Sequence, residues 1–225
     1  MSRSTAVDQR IVRTKTSSAV VDYVLEELFA GRLRSGDRID LDEIGRVLDV
    51  SRIPVREALL ILERDGIVST RYHRGVYVEP FDAQSILDDF EILGHLSGIA
   101  VRQLAEKHDD EAIAALQELI EKLRAADPDD RDAIFAVVRE ILVVEHRAGG
   151  SRRLRAELRA FQGFLPVTLR IRISRGLDAV VNAHARVVRA IAAGDGEKAA
   201  KHRLDDFRAA GRDIVAELRR RGVVS

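Results

Sequence analysis

With 225 residues, 37 basic against 37 acidic side chains and 46% hydrophobic residues, the chain is long enough for two small domains and has the make-up of a folded protein. It has no cysteine, which excludes disulfides, thiolate metal sites and cysteine nucleophiles and suits a reducing cytoplasm. No apolar run approaches the ~18 residues of a membrane span, and the polar N-terminus is not that of a signal peptide, so a cytoplasmic protein with no membrane contact is expected.

Residues 1–9 are polar and read as a mobile segment. Val20, Val21, Val24, Leu25 and Leu28 recur at helical spacing behind a capping Ser17 or Ser18, and Gly31 lies past the end of that helix. Arg34-Ser35-Gly36-Asp37 reads as a turn. A short second helix starts near Leu41, with Leu41, Ile44 and Val47/Leu48 on one face. Asp49-Val50 turns the chain, Ser51 caps a third helix that runs to Asp65, and Gly66 ends it. Pro54 falls in its first turn, where a missing N–H costs least. Two β runs, Ile67–Arg71 and Val76–Glu79, flank Tyr72-His73-Arg74-Gly75 as a hairpin. Helix, helix, turn, helix, hairpin is the order of a winged helix-turn-helix over 10–80.

Pro80-Phe81-Asp82 reads as the joint to a second domain, 82–225, that is helical throughout. Helices are expected near 82–107, 109–125, 129–147, 151–175, 177–193 and 196–220, with Pro166 bending the fourth. The predicted fold class is thus mainly α, a winged helix-turn-helix followed by an all-α bundle or barrel.

The third helix carries the chemistry. Arg52 and Arg56 are four apart and share a face away from much of the apolar stripe Val55, Leu59 and Leu62. A helix start in the major groove offers its first residues to base edges, and arginine suits a bidentate contact with guanine. Ser51 can hold a phosphate through its hydroxyl and the free N–H groups of the helix start. Arg71, His73 and Arg74 sit on the hairpin, where Gly75 would let the backbone approach DNA. Charge is balanced even over 10–79, with twelve Lys/Arg and twelve Asp/Glu, so affinity has to come from where the arginines sit and from two copies acting together. Aromatics at 4% disfavour single-strand binding by stacking.

The run Val50-Ser51-Arg52-Ile53-Pro54-Val55-Arg56-Glu57-Ala58-Leu59, then Leu62 to Val68, then Arg74 to Val78, resembles the GntR family of regulators, and the helical remainder resembles the effector domain of its FadR subfamily. The resemblance implies a homodimer that binds an inverted-repeat operator in double-stranded DNA and answers to a small-molecule effector. An architectural DNA-binding protein without an effector is the alternative. Ile53 and Asp42 depart from the pattern, Asp42 standing where relatives often carry a base.

Many members of the subfamily hold a divalent metal on one Asp and three His. Alignment with that motif puts the first pair at Val138 and Leu142, which cannot be ligands, the third position at His184 and the fourth at Asp206, with His146 one turn beyond Leu142. No metal or other cofactor is expected. An Arg and a Glu that relatives carry four apart fall here on Leu93 and Ser97. An interior that has lost its positive groups would favour an apolar or acyl effector, lined by Leu93, Ser97 and Leu142, with His146 and His184 hydrogen-bonding its polar end and Asp206 close by. No phosphate loop, nucleophile elbow or metalloprotease motif is present, so no enzymatic activity is expected. The pairs Asp88-Asp89, Asp109-Asp110, Asp129-Asp130 and Asp205-Asp206 are expected near helix starts or on helix surfaces.

Overall fold

The computed structural model describes residues 3–64, 66–80, 82–160 and 176–224, with the side chains of 16 onward apart from that of residue 160. Expectations that fall on Asp65, on Phe81 in the proposed joint, and on 161–175 with the bend at Pro166 lie outside the described residues. The chain divides into two compact units, Met1–Asp82 with Leu218–Ser225, and Ala83–Glu217. No helix among the described residues is long and apolar enough to cross a membrane.

The first unit runs α1 (Arg3–Phe29), β1 (Arg38–Ile39), α2 (Leu41–Val47), α3 (Arg52–Arg64), β2 (Val68–Arg71) and β3 (Gly75–Val78). Its core is made by the two stripes read from the sequence. Val20, Val21, Val24, Leu25 and Leu28 of α1 are buried, as are Val55, Ala58, Leu59 and Leu62 of α3, and the two helices pack together. Helix α1 starts at Arg3 rather than at Ser17, so the segment expected to be mobile is helical from Arg3 on. No glycine or proline interrupts 3–29, and Ser17 is buried inside the helix instead of capping it. In α2 only Ile44 of the expected face is buried, and Val47 is exposed. Asp40 caps α2 by accepting from the N–H groups of Asp42 and Glu43. Gly66, at φ +70°, ends α3, and the Ile67 N–H returns to the Leu62 carbonyl at 2.9 Å, closing the helix as a Schellman turn.

The wing has three strands in the order β1-β3-β2, all antiparallel. Strand β3 lies at the centre, pairing Val76 with both Ile39 and Thr70. Strand β1 was not anticipated. At two residues it is too short for any periodicity and exists only through its pairing with β3.

Residues 218–225 were assigned to the second domain from the sequence, yet they group with the first unit. Leu218 and Val224 are buried, and Arg221 Nη1 donates to the Phe29 carbonyl at 3.2 Å.

The second unit is entirely helical among its described residues: α4 (Ala83–Lys107), α5 (Asp110–Arg124), α6 (Arg131–Gly149), α7 (Arg152–Ala160), α8 (Leu177–Ala192) and α9 (Gly196–Arg220, up to Glu217 in this unit). Asp109, Asp130 and Asp195 cap helix starts by accepting from the N–H groups of Ala112, Ala133 and Lys198. Helix α6 packs against α4 and α5, and α8 against α5 and α4. The α4–α6 crossing is close enough that a Cβ on Gly149 would lie 1.9 Å from the Ala100 carbonyl oxygen.

Candidate functional site

In the first unit, Arg38, Arg52 and Arg56 converge on one groove of about 610 Å3, lined also by Asp42, Val55 and Gly75. Ser51, just before α3, is exposed, and the helix presents Arg52, Ile53 and Arg56 to solvent while Pro54 and Val55 face the core. The separation follows from the four-residue spacing of the two arginines against the Val55–Leu59–Leu62 stripe. Arg52 is not loose. Its Nη2 lies 3.0 Å from Asp42 Oδ1 and its Nε donates to the same oxygen at 3.2 Å, with both side chains over two-thirds exposed. Arg38 was not singled out in the sequence, because its place beside the groove is created by the unforeseen strand β1.

On the wing, Arg71, His73 and Arg74 are exposed. The Arg71 guanidinium lies 4.3 Å from the centre of the Tyr77 ring, and the Tyr77 hydroxyl donates to the Arg74 carbonyl at 3.1 Å. His73 takes a left-handed backbone at φ +57° and Gly75 lies at φ +105°. The close approach at Gly75 is internal: a Cβ there would stand 2.9 Å from Arg38 Nε. Glycine is needed for the backbone of the turn, whereas the arginine lying over it is the far end of a flexible side chain that could shift.

In the second unit a buried charge centre occupies the place where the sequence reading expected no positive group. Arg203 of α9 is fully buried. Its Nη2 donates to Glu145 Oε1 of α6, and its Nη1 donates to Asp206 Oδ2 at 3.0 Å and faces His184 Nδ1 of α8 at 3.3 Å. With Nδ1 accepting, His184 is the neutral Nε2–H tautomer. Burial raises the Glu145 carboxyl above the ordinary carboxylate range against the pull of Arg203. Next to Glu145 in the chain, half-buried His146 lies 3.0 Å (Nε2) from Oγ of fully buried Ser97 on α4. Burial, then the nearby Arg203 charge, lowers the His146 pKa to about 4, so this ring is also neutral near pH 7.

The interior has therefore not lost its positive charge, as the sequence suggested; the charge sits at Arg203. Asp206 is buried and paired, not on the helix surface. Leu93, Val138 and Leu142 are buried apolar side chains. The signal for Arg203 and Glu145 was present in the sequence. Ala199, Arg203, Phe207, Ala210 and Ile214 form one buried stripe of α9, and Val138, Ile141, Leu142 and Glu145 one of α6. A charge in phase with such a stripe is a buried charge.

The donor set does not fit the divalent metal of the subfamily. Two of the four positions are apolar, and the guanidinium of Arg203 already lies against the other two, His184 and Asp206, where a metal would meet a like charge. No group of three or more His, Cys, Asp or Glu side chains among the described residues could hold a metal ion.

A helix-turn-helix with arginines exposed on its second helix, flanked by a three-stranded wing and followed in the chain by an all-helical unit, defines a winged-helix protein of the regulatory class. The model of the bacterial regulatory proteins of the gntR family matches residues 16–78, and that of the FCD domain matches 88–208, more than half of the chain. The chain belongs to the GntR family of bacterial regulatory proteins and carries an FCD domain.

It is 40% identical over 152 residues to an uncharacterized HTH-type transcriptional regulator of Mycobacterium tuberculosis, a match that spans 68% of this chain and 62% of that relative. It is 31% identical over 201 residues to a probable D-xylose utilization operon transcriptional repressor of Paenarthrobacter nicotinovorans, covering 86% of each. Among solved structures, Escherichia coli McbR/YncC aligns with a TM-score of 0.65 at 22% identity over 89% of this chain and 97% of that one, which is a likeness of fold.

Proposed function

We propose that the chain is a ligand-responsive transcription regulator, not an enzyme, that binds an inverted-repeat operator in double-stranded DNA as a homodimer in the cytoplasm. The groove lined by Arg38, Arg52 and Arg56 carries this reading. Three cations supplied by a strand and by the exposed start of a helix suit a polyanion whose edges carry acceptors. In this reading Arg52 and Arg56 meet base edges, with Ser51 and Pro54 at the helix start. Arg71, His73 and Arg74 then meet phosphates across the wing, which Gly75 allows to turn.

The second unit supplies the effector site and the dimer contact in this reading. An apolar or acyl effector is supported by the buried side chains of Leu93, Val138 and Leu142, and by the engagement of Arg203 with two carboxylates, which leaves little positive charge for a carboxylate ligand. The Ser97–His146 pair is the place for its polar end, with His184 and Asp206 acting through Arg203.

The experiment is selection of an operator from randomised duplex DNA, followed by affinity at fixed salt. A good bidentate base contact contributes roughly 1–3 kcal/mol of discrimination. Arg52→Ala and Arg56→Ala should each weaken operator binding by about that much, and by more than Arg74→Ala does. Wild-type affinity in both recognition-helix variants would refute the placement of α3 on DNA.

A further inference from the structure

The Arg52–Asp42 pair joins the candidate recognition helix to the first turn of α2, and its geometry constrains what Arg52 can read. A guanidinium has two edges that can each bind a pair of acceptors: the side edge, Nε with one Nη2 hydrogen, and the end edge, one hydrogen each from Nη1 and Nη2. Asp42 Oδ1 takes the side edge, at 3.2 Å from Nε and 3.0 Å from Nη2. Asp42 itself stands on a fixed base, because the Asp40 carboxylate receives its backbone N–H at 3.0 Å.

We propose that Asp42 is a positioning residue for base recognition: it clamps the side edge of Arg52, leaving the end edge as the only pair of donors open to a guanine at one operator position. The inference rests on the reading of Arg52 as a DNA contact. Without the carboxylate, a side chain as exposed as Arg52 samples many rotamers and reaches phosphates and several base edges with similar ease. With it, the side chain is already ordered and one edge is closed, which favours guanine O6/N7 over other acceptors. The carboxylate has a second effect. It places a negative charge among the three arginines of the groove, which weakens attraction to any duplex regardless of sequence. Asp42 therefore exchanges general affinity for discrimination.

The test uses the full chain and the operator selected from randomised DNA, with each base pair of a half-site replaced in turn. The base pair read by Arg52 is the one whose discrimination Arg52→Ala abolishes, and Arg56→Ala identifies its own in the same way. At the Arg52 position the wild type should prefer guanine by roughly five- to a hundredfold. Asp42→Ala should reduce that preference to about threefold or less, leave the Arg56 position as it was, and bind random duplex as tightly as the wild type or more so. Asp42→Asn, which keeps an oxygen to accept from Arg52, should recover part of the preference. Thermal melting should be unchanged in both variants, because the pair is exposed. Full guanine preference in Asp42→Ala, where Arg52→Ala has lost it, would overturn the proposal and leave the recognition-helix reading standing. No loss of discrimination in Arg52→Ala at any base pair would overturn both.

Discussion

Removal of the Arg203 guanidinium should be among the most damaging single changes in the second unit. In Arg203→Ala, Glu145 stays buried with its cation gone, Asp206 loses its bond from Arg203, and His184 loses the group that faces its Nδ1. Breaking a buried ion pair from one side costs about 3–5 kcal/mol, because the charge left behind, here that of Glu145, is desolvated and has lost its counter-ion. For a chain of this size that corresponds to a fall of roughly 10 °C in melting temperature. The loss should also depend on pH. Burial already raises the Glu145 carboxyl, and Arg203 opposes that shift, so taking Arg203 away raises it further. A folded state that holds a proton the unfolded chain releases loses stability as pH rises from the ordinary carboxylate range through the raised value. Arg203→Ala should thus be hurt more at pH 8 than at pH 5. Urea unfolding followed by circular dichroism at both pH values measures this. The double variant Arg203→Met with Glu145→Gln should recover part of the loss, since two neutral groups replace a broken pair. A cost below about 1 kcal/mol, equal at the two pH values, would refute the account of the centre as a paired buried charge.

His146 gives the opposite slope. Its folded pKa, near 4, lies below the ordinary 6.5, so the stability it contributes is complete above pH 6.5 and is lost as pH falls toward 4. His146→Gln should flatten that acid-side decline in a stability–pH series. Gly149→Ala should destabilise by roughly 1–3 kcal/mol or more in thermal melts, because the new methyl would meet the backbone carbonyl of Ala100, which cannot turn aside. Gly98→Ala, with 3.4 Å to the nearest backbone oxygen, should cost less.

Much of the first unit was legible because several local signals agreed. The apolar stripes of α1 and α3, Pro54 in the first turn of α3 and Gly66 after its last each point to the same element. The start of α1 was misread because serine caps helices well enough that Ser17 looked like a boundary, although nothing between Arg3 and Phe29 breaks a helix. Strand β1, and Arg38 with it, depended on a partner distant in sequence. The helices of the second unit were found within a few residues wherever they are described. The contents of its interior were less legible: the metal alignment places Asp206 inside while the run of paired acids places it on a helix surface, and neither reading singles out Arg203 or Glu145. The periodicity that located those helices also locates these two side chains inside them, once charged residues are held to the same phase as apolar ones.

The grouping of residues 218–225 with the first unit bears on how that unit comes to exist. A chain made from its N-terminus has Val20 to Val78 out and able to fold long before Leu218, Arg221 and Val224 are added. Until then the Phe29 carbonyl lacks its bond from Arg221, and the unit lacks the buried side chains of Leu218 and Val224. A message cut short anywhere in the helical unit would yield a winged helix without its last packing residues, poorer in stability and open to proteolysis. Completion of the DNA-facing unit thus becomes a late event in synthesis, and partial products with a working winged helix but no helical unit behind it are disfavoured.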